Sequence, residues 1–283
     1  MSTPNAAMTA EERAKIVPSA QFQGSLPAAD LLHSGNAGVV VCKVGQARSE
    51  YRSEARVFAR ELAKHVNNRQ LGNATAFVYE ETFGVEDRLH WFIQLRSLDT
   101  YYRMVEMGDQ DRAYRASLEA ERVQDDSGEK GAWDRLFIDG SLSSTVLLPV
   151  QRNPHGGGQP RALDQIEQPS ELVLHSANAG IVIHRVAQIG YGVRAQARRY
   201  AWNLAATANR QLAGDVTVFV YEEAFGANDR LHWLLHLKDL TSYRRLLELD
   251  QLMDDANGLF VEATMDDTAL TPHHWGLYGT QES

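Results

Sequence analysis

The sequence predicts an α+β protein made of two tandem βαββαβ repeats, packed sheet to sheet as one intramolecular α+β barrel. Two observations carry this. The stretch FVYEETFGVEDRLHW, Phe77 to Trp91, recurs as FVYEEAFGANDRLHW, Phe219 to Trp233. Over 76–107 against 218–249, an offset of 142, 17 of 32 positions are identical, which marks a duplicated domain. Within each copy, moreover, the apolar period switches between that of a strand and that of a helix.

The elements follow in order. AGVVVCKV and its partner AGIVIHRV are β-rich runs and give the first strand. SEARVFARELAKHV spaces Phe58, Leu62 and Val66 four apart, as an amphipathic helix requires; copy two offers Ala197, Ala201, Leu204 and Ala208. TAFVYEETF is the second strand. GVED and GAND supply the Gly and Asp of a tight turn, and RLHWFIQL and RLHWLLHL return as the third strand. A second helix carries Leu98, Tyr101 and Met104 (Leu240, Tyr243 and Leu246 in copy two), and LFID from Leu136 or LFVE from Leu259 is the expected closing strand. The likeness extends upstream, where LHSGNAGVVV matches LHSANAGIVI and NRQL at Asn68 matches NRQL at Asn209.

This order is the ferredoxin-like split βαβ, whose sheet carries helices on one face only. Two copies in one chain can cover each other's bare faces. The expected division is an N-terminal extension over 1–27, a first repeat over 28–150, a Gly/Pro-rich linker over 151–169 and a second repeat over 170–283.

Composition narrows the function. A net charge of -9 and scattered basic residues exclude an obvious phosphate-binding face, so no nucleic-acid partner is expected. A lone cysteine, Cys42, suits a reducing cytoplasm. The N-terminus lacks the apolar core of a secretory signal, and no apolar run nears the roughly 18 residues that span a bilayer, so a cytoplasmic protein without a membrane partner is expected. HGGGQP does not sit between a strand and a helix, and no G-x-S-x-G occurs, which disfavours nucleotide and acyl-transfer chemistry.

The run from Glu81 to Tyr101, E..FG..DRLHW...L.SL..Y, resembles the hairpin of NIPSNAP-like domains. More broadly, the chain is similar to the dimeric α+β-barrel superfamily, which also holds antibiotic-biosynthesis monooxygenases and stress-responsive barrel proteins. Asp87 and Asp229 stand where the NIPSNAP pattern prefers Asn, and the His-Trp pair is adjacent rather than spaced by one residue. The resemblance implies a barrel that binds an apolar or aromatic small molecule, in bacterial polyketide-like or aromatic metabolism.

Strand alternation sorts the side chains. Leu89, Trp91, Ile93 and Leu95 should pack under the helices, with His90, Phe92 and Gln94 facing the barrel interior; His232, Leu234 and His236 repeat this. Val40, Cys42 and Val44 oppose Val39, Val41 and Lys43, and the register of Glu80–Glu81 and Glu222–Glu223 stays open because a bulge would invert it. An imidazole beside a carboxylate can move protons near neutral pH. The expected catalytic residues are therefore His232, His90, Glu222 and Glu80, with His184, His236, Gln94, Tyr79, Tyr221 and Phe92 lining the substrate. Positions that differ between copies, Cys42 against His184 and Gln94 against His236, fit one functional cavity that has diverged.

The expected chemistry is oxygenation, cyclisation or isomerisation without an organic cofactor. The alternative is a non-catalytic ligand-binding or scaffold protein. A metal- or haem-dependent enzyme is a second alternative. His184, His232, His236 and Glu222 have ligand chemistry, but His232 and His236 lie roughly 13 Å apart along one strand and cannot share an ion. The Asp-Arg pairs at 87–88 and 229–230 are expected to brace the hairpin tip, Trp91 and Trp233 to be core, and the acidic stretch Gln124–Lys130 to be a solvated loop. Self-association through the outer surfaces, as a homodimer, stays open.

Overall fold

β-Branched and aromatic alternation does produce strands at nearly all the expected places. The structure is a computed structural model that describes residues 20–23, 26–27, 30–119, 132–151, 160–249, 256 and 258–273. The acidic stretch Gln124–Lys130 and HGGGQ lie outside these residues. The first repeat holds β1 (Val39–Gln46), α1 (Arg52–Arg69), β2 (Ala74–Phe83), β3 (Arg88–Leu95), α2 (Leu98–Gln110), α3 (Arg112–Glu119), α4 (Ala132–Leu136) and β4 (Ser143–Pro149). The second holds β5 (Ile181–Gln188), α5 (Arg194–Gln211), β6 (Val216–Phe225), β7 (Arg230–Leu237), α6 (Leu240–Glu248) and β8 (Asp266–Pro272).

The strands close into one barrel in the order β1-β3-β2-β8-β5-β7-β6-β4. Each repeat contributes a 4-1-3-2 sheet, as a ferredoxin-like unit should. The sheets do more than face each other, because their edges hydrogen-bond: β2 to β8 from Tyr79↔Pro272, and β4 to β6 from Pro149↔Tyr221. Closure therefore removes both free edges, the standing aggregation hazard of an open sheet.

The closing strands begin later than the sequence predicts. Phe137 and Phe260 make only isolated bridges, to Ala47 and Ile189. Gly140 (φ 76°) and Ala263 (φ 59°) then turn the chain, and the β-branched runs behind them, SSTVLLP and DDTALTP, form the ladders.

β2 and β6 each extend beyond their cross-repeat partner, and side-chain amides finish the ladder. The Asn67 amide donates to the Ala76 carbonyl at 3.0 Å and accepts from its N–H at 2.7 Å. Asn209 serves Val218 in the same way at 2.9 and 2.6 Å. The structural partner of Asn209 is thus Asn67, one residue before the Asn68 that NRQL aligns. Two residues along β2, Gln23 clasps Val78 at 2.6 and 2.7 Å, and Gln165 clasps Val220 at 2.8 and 2.9 Å. A primary amide carries the same donor and acceptor as a peptide, so it can stand in for a missing strand. Gln23 and Gln165 are again 142 apart. The repeated unit therefore starts upstream of residue 28, and residues 160–169 are packed structure rather than tether.

Apolar burial divides into three bodies. Phe58, Leu62 and Val66 of α1 pack on Val39, Val41, Trp91 and Leu95, and α5 covers the matching face of the second sheet with Trp233 beneath it. The barrel interior holds Val40, Cys42, Phe77, Tyr79, Phe92, Phe219, Tyr221 and Leu234. Burying a large apolar side chain stabilises by about 1.5–3 kcal/mol, so each layer is anchored independently. Among the described residues no helix is long and apolar enough to cross a membrane.

Candidate functional site

The barrel interior has two chemically distinct ends. At one, the loops preceding β1 and β5 enter together. Asn36 Oδ1 accepts from His33 N at 2.7 Å and its amide donates to Leu31 O, with Asn178 doing the same for His175 and Val173. Each loop thereby curls so that its serine reaches the axis between the repeats. Ser34 N donates to Ser176 Oγ at 2.9 Å and Ser176 N to Ser34 Oγ at 3.0 Å, a reciprocal pair about an approximate two-fold. The His33 and His175 rings stack with centroids 3.6 Å apart.

Four of the predicted substrate-binding residues are committed to this plug. Tyr221 Oη donates to Ser34 O at 2.6 Å, and Tyr79 Oη donates to Ser176 O. His236 Nε2 bonds Ser34 Oγ at 2.9 Å, and Gln94 Nε2 donates to Ser176 Oγ at 3.3 Å. All four are fully buried. The two tyrosine hydroxyls, His236 Nε2 and Gln94 Nε2 hold the plug, while Gln94 Oε1 and His236 Nδ1 have no hydrogen-bond partner among the described residues.

The other end lies beneath the β2–β3 and β6–β7 hairpins. His90 Nε2 faces Glu81 Oε2 at 3.4 Å, and Arg88 Nη1 donates to the same oxygen at 3.2 Å. The second repeat repeats this with His232, Glu223 and Arg230, each at 3.4 Å. The hairpin builds the arrangement. Gly84 and Gly226 adopt φ of 121° and 118°, which only glycine takes up readily, and the chain folds back so that Val85 N and Ala227 N donate to Glu81 and Glu223 at 2.8 and 3.1 Å. A Cβ at either glycine would collide with the glutamate carboxyl, so the absent side chain makes room for the carboxylate.

The interior carboxylates are therefore Glu81 and Glu223, and the predicted Glu80 and Glu222 point the other way. Strand alternation sends Glu80 outward under α1, where Arg56 Nε and Nη2 bond it at 2.9–3.1 Å and His273 Nδ1 at 2.5 Å. Glu222 pairs with Arg198 of α5 on the same outer face. β2 shifts register only after Glu81, between Glu81 and Phe83, so the bulge that would have inverted the pair does not fall on it. The predicted brace at the hairpin tip is there in another pairing: Asp87 takes Arg56 at 3.0 Å, while Arg88 takes Glu81.

Cys42 and His184 occupy matching positions on β1 and β5 and make the halves unequal. His184 Nε2 lies 2.9 Å from His232 Nδ1, with Phe92 edge-on to its ring at 6.2 Å. His232 thus has both nitrogens engaged. Cys42 offers no such reach, and His90 Nδ1 has no hydrogen-bond partner among the described residues, although it is buried. Burial lowers the pKa of His90, and the Glu81 hydrogen bond opposes this only in part. Burial likewise pushes His232 down to about 4, aided by Arg230, and holds His184 well below its ordinary value. These rings are neutral at pH 7. In a neutral His90, the tautomer that donates Nε2–H to Glu81 leaves Nδ1 unprotonated.

Cys42, by contrast, is fully buried and its thiol pKa is raised by desolvation, so it is inert as a nucleophile. Among the described residues no group of three or more His, Cys, Asp or Glu is placed to hold a metal ion. In the sequence Ser34 and Ser176 are missed as interior groups, and Glu81 and Glu223 stay undecided against Glu80 and Glu222. The signal for the serines is identity between the copies, shared with residues kept for the fold; for the glutamates it is also alternation with Phe77 and Tyr79, or Phe219 and Tyr221.

An antiparallel barrel of two ferredoxin-like halves, with imidazole–carboxylate pairs inside one end, defines an α+β-barrel protein. The chain belongs to the family of unknown function DUF6039, whose profile matches residues 8–260. It is similar in fold to a candidate monooxygenase of Fusobacterium nucleatum (7% identity, TM-score 0.53, covering 83% of this chain and 91% of that one). A candidate monooxygenase of Lactobacillus acidophilus is similar at 10% identity and TM-score 0.52, covering 82% and 92%. At these identities the likeness concerns the fold alone. No curated protein matches the chain.

Proposed function

We propose that the hairpin end of the barrel is a proton-transfer site for an apolar or aromatic small molecule, working without an organic cofactor. One observation carries this reading: His90 Nδ1 is buried and has no hydrogen-bond partner among the described residues, while its counterpart on His232 is capped by His184. Glu81 fixes the ring's tautomer and would stabilise the imidazolium formed when Nδ1 takes a proton from an activated C–H or O–H. The resulting carbanion or oxyanion could be reprotonated elsewhere, attack an internal carbonyl or react with dioxygen, which are the isomerase, cyclase and monooxygenase outcomes. The fold shared with candidate monooxygenases supports the last of these, and the resemblance to antibiotic-biosynthesis enzymes supports an aromatic or polyketide-like substrate.

The test is deuterium exchange of the acidic methylene of 2-tetralone, followed by NMR at pH 7. The protein should accelerate exchange, and His90→Gln should remove about 10²–10⁴-fold of that acceleration, the usual worth of a general base. His232→Gln should matter less. Exchange no faster than in buffer, or equal in His90→Gln, would overturn the proposal. A non-catalytic reading draws on the plug, where both tyrosine hydroxyls are tied to backbone carbonyls. It expects both histidine variants to lose stability with no exchange to lose.

A further inference from the structure

The two repeats differ most sharply outside the barrel, where each sheet meets its helices. On β5, Arg185 points outward and is neutralised: its Nε and Nη2 donate to Asp267 of β8 at 2.7 Å each, and Tyr243 Oη donates to the same carboxylate at 2.9 Å. On β1 the matching cation is Lys43, and its partner in the ladder to β4 is Ser144 rather than an aspartate. The acid has gone. Lys43 has no ion-pair partner among the described residues, and its Nζ lies 4.3 Å from the Trp133 ring centroid. Burial lowers its pKa, which records a desolvated ammonium with no carboxylate to offset the cost.

A cavity of about 230 Å³ adjoins this lysine, between the outer face of the first sheet and α1 to α4. Trp91, Tyr101, Met104, Tyr114 and Trp133 line it among smaller aliphatic residues, and Lys43 and Ser144 bring polar groups from the sheet. On the second repeat Asp267 and Tyr243 complete the polar cluster instead. An apolar cavity of about 150 Å³ accepts benzene, so this one admits a single aromatic ring with a short chain. An apolar pocket with one or two convergent polar groups is the usual form of a small-molecule site.

We infer that this pocket binds a small aromatic monocarboxylate, whose carboxylate takes the place on Lys43 and Ser144 that Asp267 holds in the second repeat, and whose ring lies among Trp91, Trp133 and Tyr114. The site is separate from the barrel interior and does not depend on the proton-transfer reading. It would act as a regulatory or carrier site on the outer face.

Phenylacetate and its neutral isostere phenylacetamide distinguish the charge contribution from that of the ring. Isothermal titration of the full chain should show one phenylacetate per chain, bound at least about tenfold more tightly than the amide, as a charge-assisted hydrogen bond allows. The Trp133 indole N–H resonance should shift on binding. Lys43→Met should bring acid and amide to equal affinity, and Ser144→Asp, which restores the internal acid, should weaken phenylacetate about tenfold or more. Arg185→Met should leave the titration unchanged. Equal binding of acid and amide to the unmodified protein, no saturable binding, or an unmoved Trp133 resonance would each overturn the inference. Those results need no variant, so they decide even if Lys43→Met fails to fold.

Discussion

Arg56 and Arg198 hold the same place on equivalent helices, so truncating each to methionine compares one ion pair in two settings. Arg56 is buried, its side chain 3% exposed against 8% for Glu80 and 13% for Asp87. His273 closes over the cluster and is itself buried. Arg198 and Glu222 are 44% and 31% exposed, and Val150 stands where His273 does. Removing Arg56 leaves the buried Glu80 with His273 and Asp87 with Arg52 at 3.8 Å, without the guanidinium that joins the two carboxylates. Breaking a buried pair in this way costs about 3–5 kcal/mol, whereas an exposed pair is worth about 0–1 kcal/mol. At about 2 °C per kcal/mol for a chain of this size, Arg56→Met should lower Tm by about 6–10 °C and Arg198→Met by no more than about 2 °C. Urea denaturation at pH 7 with circular dichroism, and a thermal scan, read both values. Equal losses, or a loss below about 1 kcal/mol for Arg56→Met, would refute the view that burial governs this interaction.

Stability should fall with acidity across the histidine range. Burial holds His175 and His232 at about 4, Arg230 adding to it for His232, and holds His236 at about 3. The unfolded chain protonates these rings near 6.5, so their contribution is complete above that pH and is lost as pH drops towards 4, at up to ~1.4 kcal/mol per pH unit for each ring. Urea midpoints between pH 7 and 4.5 should show this slope, shallower in His232→Gln; a flat profile would contradict it. Ser34→Ala leaves Ser176 N–H and His236 Nε2 without their partner at the plug and should cost about 1–3 kcal/mol by the same denaturation assay. Gly84→Ala should strain the hairpin by about 1–3 kcal/mol and push the Glu81 carboxyl off His90. Since Glu81 is what raises His90 against burial, the His90 pKa followed by NMR titration should fall further in that variant.

The sequence by itself determined the duplication, the order of elements and the faces of β1, β3, β5 and β7. Those follow from local periodicity, and periodicity is a property of neighbours along the chain. His90, Phe92 and Gln94 point inward as alternation required, with Trp91 beneath α1. Tertiary structure decided which of two adjacent glutamates faces the imidazoles: the ladder runs unbroken through Glu80 and Glu81 and the bulge falls only after Glu81, a placement the composition of the strand does not reveal. It also decided that Gln23 and Gln165 belong to the sheet and that the LHS loops plug one end. Such roles depend on partners far away in the chain: Ser34 meets Ser176 across 142 residues, and His273 reaches Glu80 across 193. Asp267 and Ser144 look like unremarkable surface substitutions in the sequence. Only the ladder that sets them beside Arg185 and Lys43 shows that one cation is neutralised within the chain and the other is not.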